Sequence, residues 1–143
     1  MSKETKTIKQ TELIPARPID VYEALMDAKL HSEFTGSKAT SDPKVGGEFT
    51  AGDGYISGKN LKLENGKRIV QEWKTVEWPT GYPPSIVEFT FRQTKNGTKL
   101  TMVHRNVPAE QASSYRQGWI DFYWKPMKKY FKMKNPRGEK THD

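Results

Sequence analysis

Ala112, Tyr115, Trp119, Phe122, Tyr123, Met127 and Tyr130 follow one another largely at intervals of three and four. That spacing lays an apolar stripe along a helix of roughly six turns. Such a stripe has to be covered by another layer. Pro108-Ala109-Glu110 opens the pattern, and Gly118 and Pro126 interrupt it. Inside a helix glycine costs about 1 kcal/mol and proline about 3 kcal/mol, so the pattern predicts a bend near Pro126 or close packing at Gly118.

The segments before this helix supply the covering layer. Gly46-Gly47, Asp53-Gly54, Asn65-Gly66 and Asn96-Gly97 separate short runs of Tyr, Ile, Val, Phe, Trp and Thr. Asn-Gly is a strong hairpin signal, because a type I′ turn needs positive φ at both central residues. Val87, Phe89 and Phe91 alternate with Glu88, Thr90 and Arg92, and across the next turn Leu100, Met102 and His104 alternate with Lys99, Thr101 and Val103. Each strand therefore has an apolar face and a wet one. Trp78-Pro79-Thr80-Gly81-Tyr82-Pro83-Pro84 reads as a stiff loop. Residues 3–14 read as a first strand ended by Pro15 and Pro18. A helix of about two turns starts at Pro18, and a second short helix or turn runs through Leu30, His31 and Phe34 to Gly36. The expected fold is α+β, a curved antiparallel sheet of about six strands around a long C-terminal helix, with one or two short helices after the first strand. One domain is expected over 1–143, ordered over about 3–133, with a polar tail at 134–143.

Only 34% of the residues are hydrophobic, yet there are 4 Trp, 6 Tyr and 6 Phe, and each ring can bury about 150–250 Å². An aromatic-rich core follows. There is no cysteine, which excludes disulfides, thiolate zinc sites, iron–sulfur clusters and cysteine nucleophiles. No apolar run approaches the ~18 residues of a bilayer span, and Met1-Ser-Lys-Glu-Thr-Lys6 carries no apolar signal region. A cytoplasmic protein without membrane insertion is expected. The net charge of +7 is uneven: residues 1–124 hold 17 basic and 15 acidic side chains, residues 125–143 hold 7 and 2. Lys125, Lys128, Lys129 and Lys132 share one helix face. This row reads either as a solvated face or as a contact for an acidic partner. Without a recognition motif, or a basic patch interleaved with exposed aromatics, no specific nucleic-acid binding is expected.

His31, His104 and His142 are the only histidines, and no two have metal-pair spacing. There is no nucleophile elbow, phosphate loop or dinucleotide fingerprint. Isolated carboxylates such as Glu72 and Glu88 could be imagined as an acid–base pair, but carboxylates on the wet face of a sheet normally solvate it. No catalytic residue, metal or cofactor is expected. His104 is the one polar residue on an apolar strand face, either a satisfied structural histidine or the group that fixes the polar end of a ligand.

Five segments occur in order: Pro15-Ala-Arg-Pro-Ile-Asp-Val-Tyr-Glu-Ala-Leu25, Gly46-Gly-Glu-Phe49, Arg68-Ile-Val-Gln-Glu-Trp73, Asn96-Gly-Thr-Lys-Leu100 and Arg116-Gln-Gly-Trp119. Together they resemble the activator of heat-shock protein 90 ATPase C-terminal-domain-like family, within the START-like superfamily of helix-grip folds, over about residues 8–133. The resemblance implies a curved sheet gripping the last helix, and two classes of function. One is a non-catalytic binding protein whose helix–sheet cavity takes a small apolar or aromatic ligand. Trp73, Phe89, Phe91, Met102, His104, Trp119 and Tyr123 are then the expected lining, if these rings border a void rather than fill it. The other is a stand-alone co-chaperone-like protein that binds, and can stimulate, the heat-shock protein 90 ATPase through a basic surface made of Lys125, Lys128, Lys129 and Lys132.

Overall fold

The computed structural model describes residues 4–134; the tail expected at 134–143 lies, apart from Lys134, outside them. Strand β1 (Thr5–Ile14) runs up to Pro15. Helix α1 (Pro18–Met26) has its proline in the first turn, where a missing N–H leaves no bond unmade. Asp27 then caps α2 (Ala28–Thr35), its side chain accepting from the Leu30 N–H at 3.0 Å. The remaining strands are β2 (Thr40–Ser41), β3 (Glu48–Ala51), β4 (Ile56–Glu64), β5 (Arg68–Thr75), β6 (Ser85–Thr94) and β7 (Gly97–Pro108). A short 3-10 turn (Ala109–Gln111) leads into α3 (Ala112–Trp119), a π-helical turn (Ile120–Trp124) and α4 (Lys125–Lys134).

The sheet has seven strands, in the order β1-β7-β6-β5-β4-β3-β2, one more than expected because Thr40–Ser41 forms a short edge strand on β3. Every pairing is antiparallel. Register sets the inner face: Phe89 lies opposite Met102 on β7 and Ile69 on β5, while His104 lies opposite Val87 and Ile8. Along β5 the apolar residues do not alternate cleanly; Ile69, Gln71, Trp73 and Thr75 are buried, and so is Val70 between them. The two Asn-Gly hairpins differ from the expected type I′ geometry, whereas Asp53 and Gly54 both have positive φ. Positive φ falls on Gly66 (74°) and Gly97 (133°) but not on Asn65 or Asn96, so the glycine alone carries the unusual conformation. Gly97 is doubly constrained, since a Cβ there would lie 2.2 Å from the Ile14 carbonyl oxygen.

The long helix is continuous in path but changes pitch. The Lys125 N–H bonds to the Ile120 carbonyl, five residues back. This wide turn sits just before Pro126, whose ring in a regular helix would meet the carbonyl four residues back. It also brings residues five apart into line: Trp119 and Trp124 stack at 5.5 Å with planes 14° apart. The predicted interruption therefore appears as a π-turn upstream of Pro126. Close packing at Gly118 is not seen; a Cβ there would meet only the Phe122 ring, at 3.8 Å.

Candidate functional site

The inner face of the sheet and the helix meet in a cluster of rings. Trp73 on β5 lies 4.6 Å from His104, 5.7 Å from Trp119 and 5.2 Å from Tyr115. Phe89 packs edge-on against Trp119 at 5.7 Å, and Trp119 lies 4.8 Å from Tyr123. Phe91, one inward position further along β6, leaves this group and packs edge-on against Tyr22 of α1 at 5.9 Å. The sequence placed Phe89 and Phe91 in one space with Trp119; the short helices instead divide the sheet between them and the long helix. Met102 is fully buried beneath the rings.

His104 is wholly buried, and its bonds decide its role. Trp119 Nε1–H donates to His104 Nδ1 at 3.1 Å. The ring proton therefore belongs on Nε2, which donates to Ser85 Oγ at 2.7 Å, and Ser85 in turn donates to the Trp73 carbonyl at 2.8 Å. Burial holds the imidazole pKa down to about 3. A serine whose hydrogen-bonded histidine nitrogen already carries a proton is not an activated nucleophile. The group is a structural tie between β5, β6, β7 and α3.

His31 forms a second tie, which sequence reading passed over. Its Nδ1–H donates to the Leu25 carbonyl at 3.1 Å and its Nε2 accepts from Tyr123 O–H at 2.7 Å. Burial lowers the pKa of His31 and raises that of Tyr123. No spacing in the sequence could announce this pair, because its partners are 92 residues apart. Of the candidate carboxylate pair, Glu88 is held in a structural role: it accepts from Arg68 Nε at 2.6 Å and from Arg105 Nη1 at 3.3 Å. Those bonds, Arg68 first, pull its carboxyl below the usual range.

The expected inner space is closed around Phe89 and open only at one end. The void among Trp73, Phe89, Trp119 and Tyr123 measures about 20 Å³, room for about one water. A far larger space, about 500 Å³, opens to solvent at the end of the cluster. Trp73, Trp119 and Tyr123 reach it; Phe89, Phe91, Met102 and His104 do not. Its other walls are residues not expected in a binding site, among them Tyr55, Glu77 and Gln111, and Tyr115, Gly118 and Phe122 of the helix stripe. Tyr55 O–H donates to Glu77, and burial together with that bond pushes the phenol up to about 12. Thr75 Oγ1 and the phenolic oxygen of Tyr115 lie 2.7 Å apart, and Tyr115 O–H donates to Gln111 Oε1 at 2.9 Å.

The lysine row is split by the structure. Lys128 pairs with Glu12 of β1 and Lys125 lies 3.6 Å from Asp121. Lys129 and Lys132 are exposed with no ion-pair partner among the described residues. Among those residues no helix is long and apolar enough to cross a membrane.

Comparison with known proteins agrees with this architecture. Residues 15–132 match the family model described as Activator of Hsp90 ATPase homolog 1-like protein. The human Activator of 90 kDa heat shock protein ATPase homolog 1 is 34% identical over 125 residues, covering 87% of this chain and 36% of its own length. The Dictyostelium discoideum activator homologue is 32% identical over 116 residues, covering 80% of this chain and 30% of its own length. This chain thus spans about a third of these relatives. Among solved structures, an HSP90 activator from Plasmodium falciparum superposes with a TM-score of 0.76 at 28% identity, over 82% of this chain and 89% of that one. The sheet order, the gripped helix and a match across nearly all the described residues lead to one assignment: the chain belongs to the Activator of Hsp90 ATPase homolog 1-like protein family.

Proposed function

We propose that this chain is a non-catalytic docking domain that binds an Hsp90-type chaperone and influences its ATPase through binding alone. The observation that carries the reading is the closed interior. Around Phe89 the rings close the helix–sheet space to about 20 Å³, leaving only the solvent-open cleft of about 500 Å³ at one end, and among the described residues no buried side-chain polar atom lacks a partner. The interior offers no place for an organic ligand, so a small molecule would have to use the open cleft. Function then belongs to the surface of a rigid body, and the 34% identity to the human activator supports the choice of partner.

A domain without catalytic groups can raise another protein's turnover only by binding its active conformation more tightly than its inactive one. A rigid surface suits that task, because little ordering entropy is lost on docking. The exposed face of α4, with Lys125, Lys129 and Lys132, gives a basic contact for an acidic chaperone surface. Lys128 is engaged by Glu12 and serves the fold instead. The test is a pull-down and a steady-state ATPase assay with a purified Hsp90-type chaperone at low and at high salt. Binding that weakens with salt, and that the triple variant Lys125→Glu, Lys129→Glu, Lys132→Glu loses while keeping its circular dichroism spectrum, is expected. Absence of association at low salt would overturn the proposal.

A further inference from the structure

The 500 Å³ cleft lies beside the π-turn of the long helix, the kind of irregularity often found at functional sites. Three features there have no explanation in folding. Gly118 sits in a helix interior, where glycine is the least favoured residue after proline. Neither its backbone nor its neighbours require it, since a Cβ would meet only Phe122, at 3.8 Å. Phe122 leaves 69% of its surface exposed at the lip, although the two residues after it, Tyr123 and Trp124, are buried. The third feature is charge. In a chain of net charge +7, the cleft is lined by Glu77 and Glu110 and by no lysine or arginine.

These features fit one kind of occupant. Trp73, Trp119 and Phe122 offer apolar and π surface. Glu77 is held in place: Tyr55 donates to one carboxylate oxygen, and Gln111 Nε2 donates to its backbone carbonyl at 2.8 Å. Among the described residues the second carboxylate oxygen accepts no hydrogen bond, which leaves it for a ligand. The volume falls in the range of about 300–1,000 Å³ usual for small-molecule sites. We propose that the cleft between Gly118, Phe122 and Glu77 binds a small organic ammonium ion carrying an aromatic group. The rings take the apolar part, partly through cation–π contact, and Glu77 takes the cation. Gly118 keeps the floor of the cleft open. The site does not depend on chaperone docking, so either can fail without the other.

The experiment titrates tryptamine, and indole-3-propionate as the anion of matched shape, into the ¹⁵N-labelled full chain. Amide and indole shifts are followed by NMR. The amine is expected to move the Gly118 and Trp119 signals and to bind roughly tenfold more tightly than the anion. Glu77→Gln should abolish that preference. Gly118→Leu should weaken amine binding by roughly tenfold or more, and Phe122→Ala, at an exposed position that the core does not need, should also weaken it. Circular dichroism of each variant confirms folding. No saturable shifts with millimolar amine, equal affinity for the anion, or unchanged binding by Gly118→Leu would each overturn the proposal.

Discussion

The indole N–H of Trp119 donates to Nδ1 of the buried His104 at 3.1 Å, and this one bond ties the C-terminal helix to the inner face of the sheet. It fixes the imidazole tautomer, and through Ser85 it reaches the Trp73 carbonyl on a third strand. The rings around it make the contact dry. Trp73 crosses His104 at 79° and Trp119 crosses it at 83°, edge-to-face arrangements that add to simple area burial. Helix and sheet are joined by a polar bond set within an apolar cluster, so its loss leaves groups that water cannot reach.

Trp119→Phe keeps most of the ring volume but removes the donor. His104 Nδ1 is then buried without a partner, and the expected loss is about 2 kcal/mol of unfolding free energy. Trp119→Ala should cost about 3–5 kcal/mol through the added cavity. Urea denaturation of the two variants measures the difference. A Trp119→Phe variant as stable as the parent would show that the bond contributes nothing.

Acid should weaken the fold well before carboxylates titrate. His104 has a native pKa depressed to about 3, and His31 is also lowered, whereas both return to about 6.5 when unfolded. Below about pH 6.5 the unfolded chain binds protons that the native state refuses, so stability falls as pH falls through this window. It is fully present above about pH 6.5. Between pH 7.5 and 5 His104 alone accounts for about 2 kcal/mol. His104→Gln should be less stable at pH 7.5 but should lose less on acidification, as read by urea midpoints across the range. Equal slopes in parent and variant would contradict this.

The elements of this fold were legible because each left a local trace. Pro18 and Asp27 mark helix starts, alternation marks β6 and β7, and the ring stripe marks the long helix. Inward burial of Phe89, Met102, His104, Trp119 and Tyr123 followed from the same periodicities, whereas the run around Trp73 does not alternate cleanly and its inward face is fixed only by pairing with β6. What could not be read was whether rings border a space or fill it, since that depends on how far the helix sinks into the sheet. The π-turn is the clearest case. Pro126 announced a disturbance, but stacking of Trp119 on Trp124 required knowing where the extra residue is absorbed. The cleft escaped notice because its walls come from the β3–β4 turn, the end of β5 and α3. Tyr55 and Glu77 meet only after the sheet has formed.

Two glycines should respond in opposite senses to alanine. At Gly97 the backbone φ is 133° and a Cβ would lie 2.2 Å from the Ile14 carbonyl oxygen. Gly97→Ala should therefore destabilise by about 2–3 kcal/mol. Gly118 is helical and its Cβ would make only an ordinary contact with the Phe122 ring at 3.8 Å, so Gly118→Ala should stabilise by about 1 kcal/mol. Thermal unfolding of the two variants side by side checks both signs.

Lys128 and Lys129 are neighbours in sequence with different duties. The Lys128 ammonium reaches across to Glu12, and the two side chains are 38% and 22% exposed, so the pair is partly shielded from solvent. Its coupling should be about 0.5–1 kcal/mol in a double-mutant cycle of Lys128→Ala with Glu12→Gln. Lys129, exposed and without an ion-pair partner among the described residues, should change stability by less than about 0.5 kcal/mol when replaced by alanine. The same change should reduce chaperone association at low salt if α4 presents the docking face. The cycle and the binding assay together separate a lysine that holds β1 to the helix from one that faces outward. A measurable stability loss for Lys129→Ala, or no coupling between Lys128 and Glu12, would reverse that assignment.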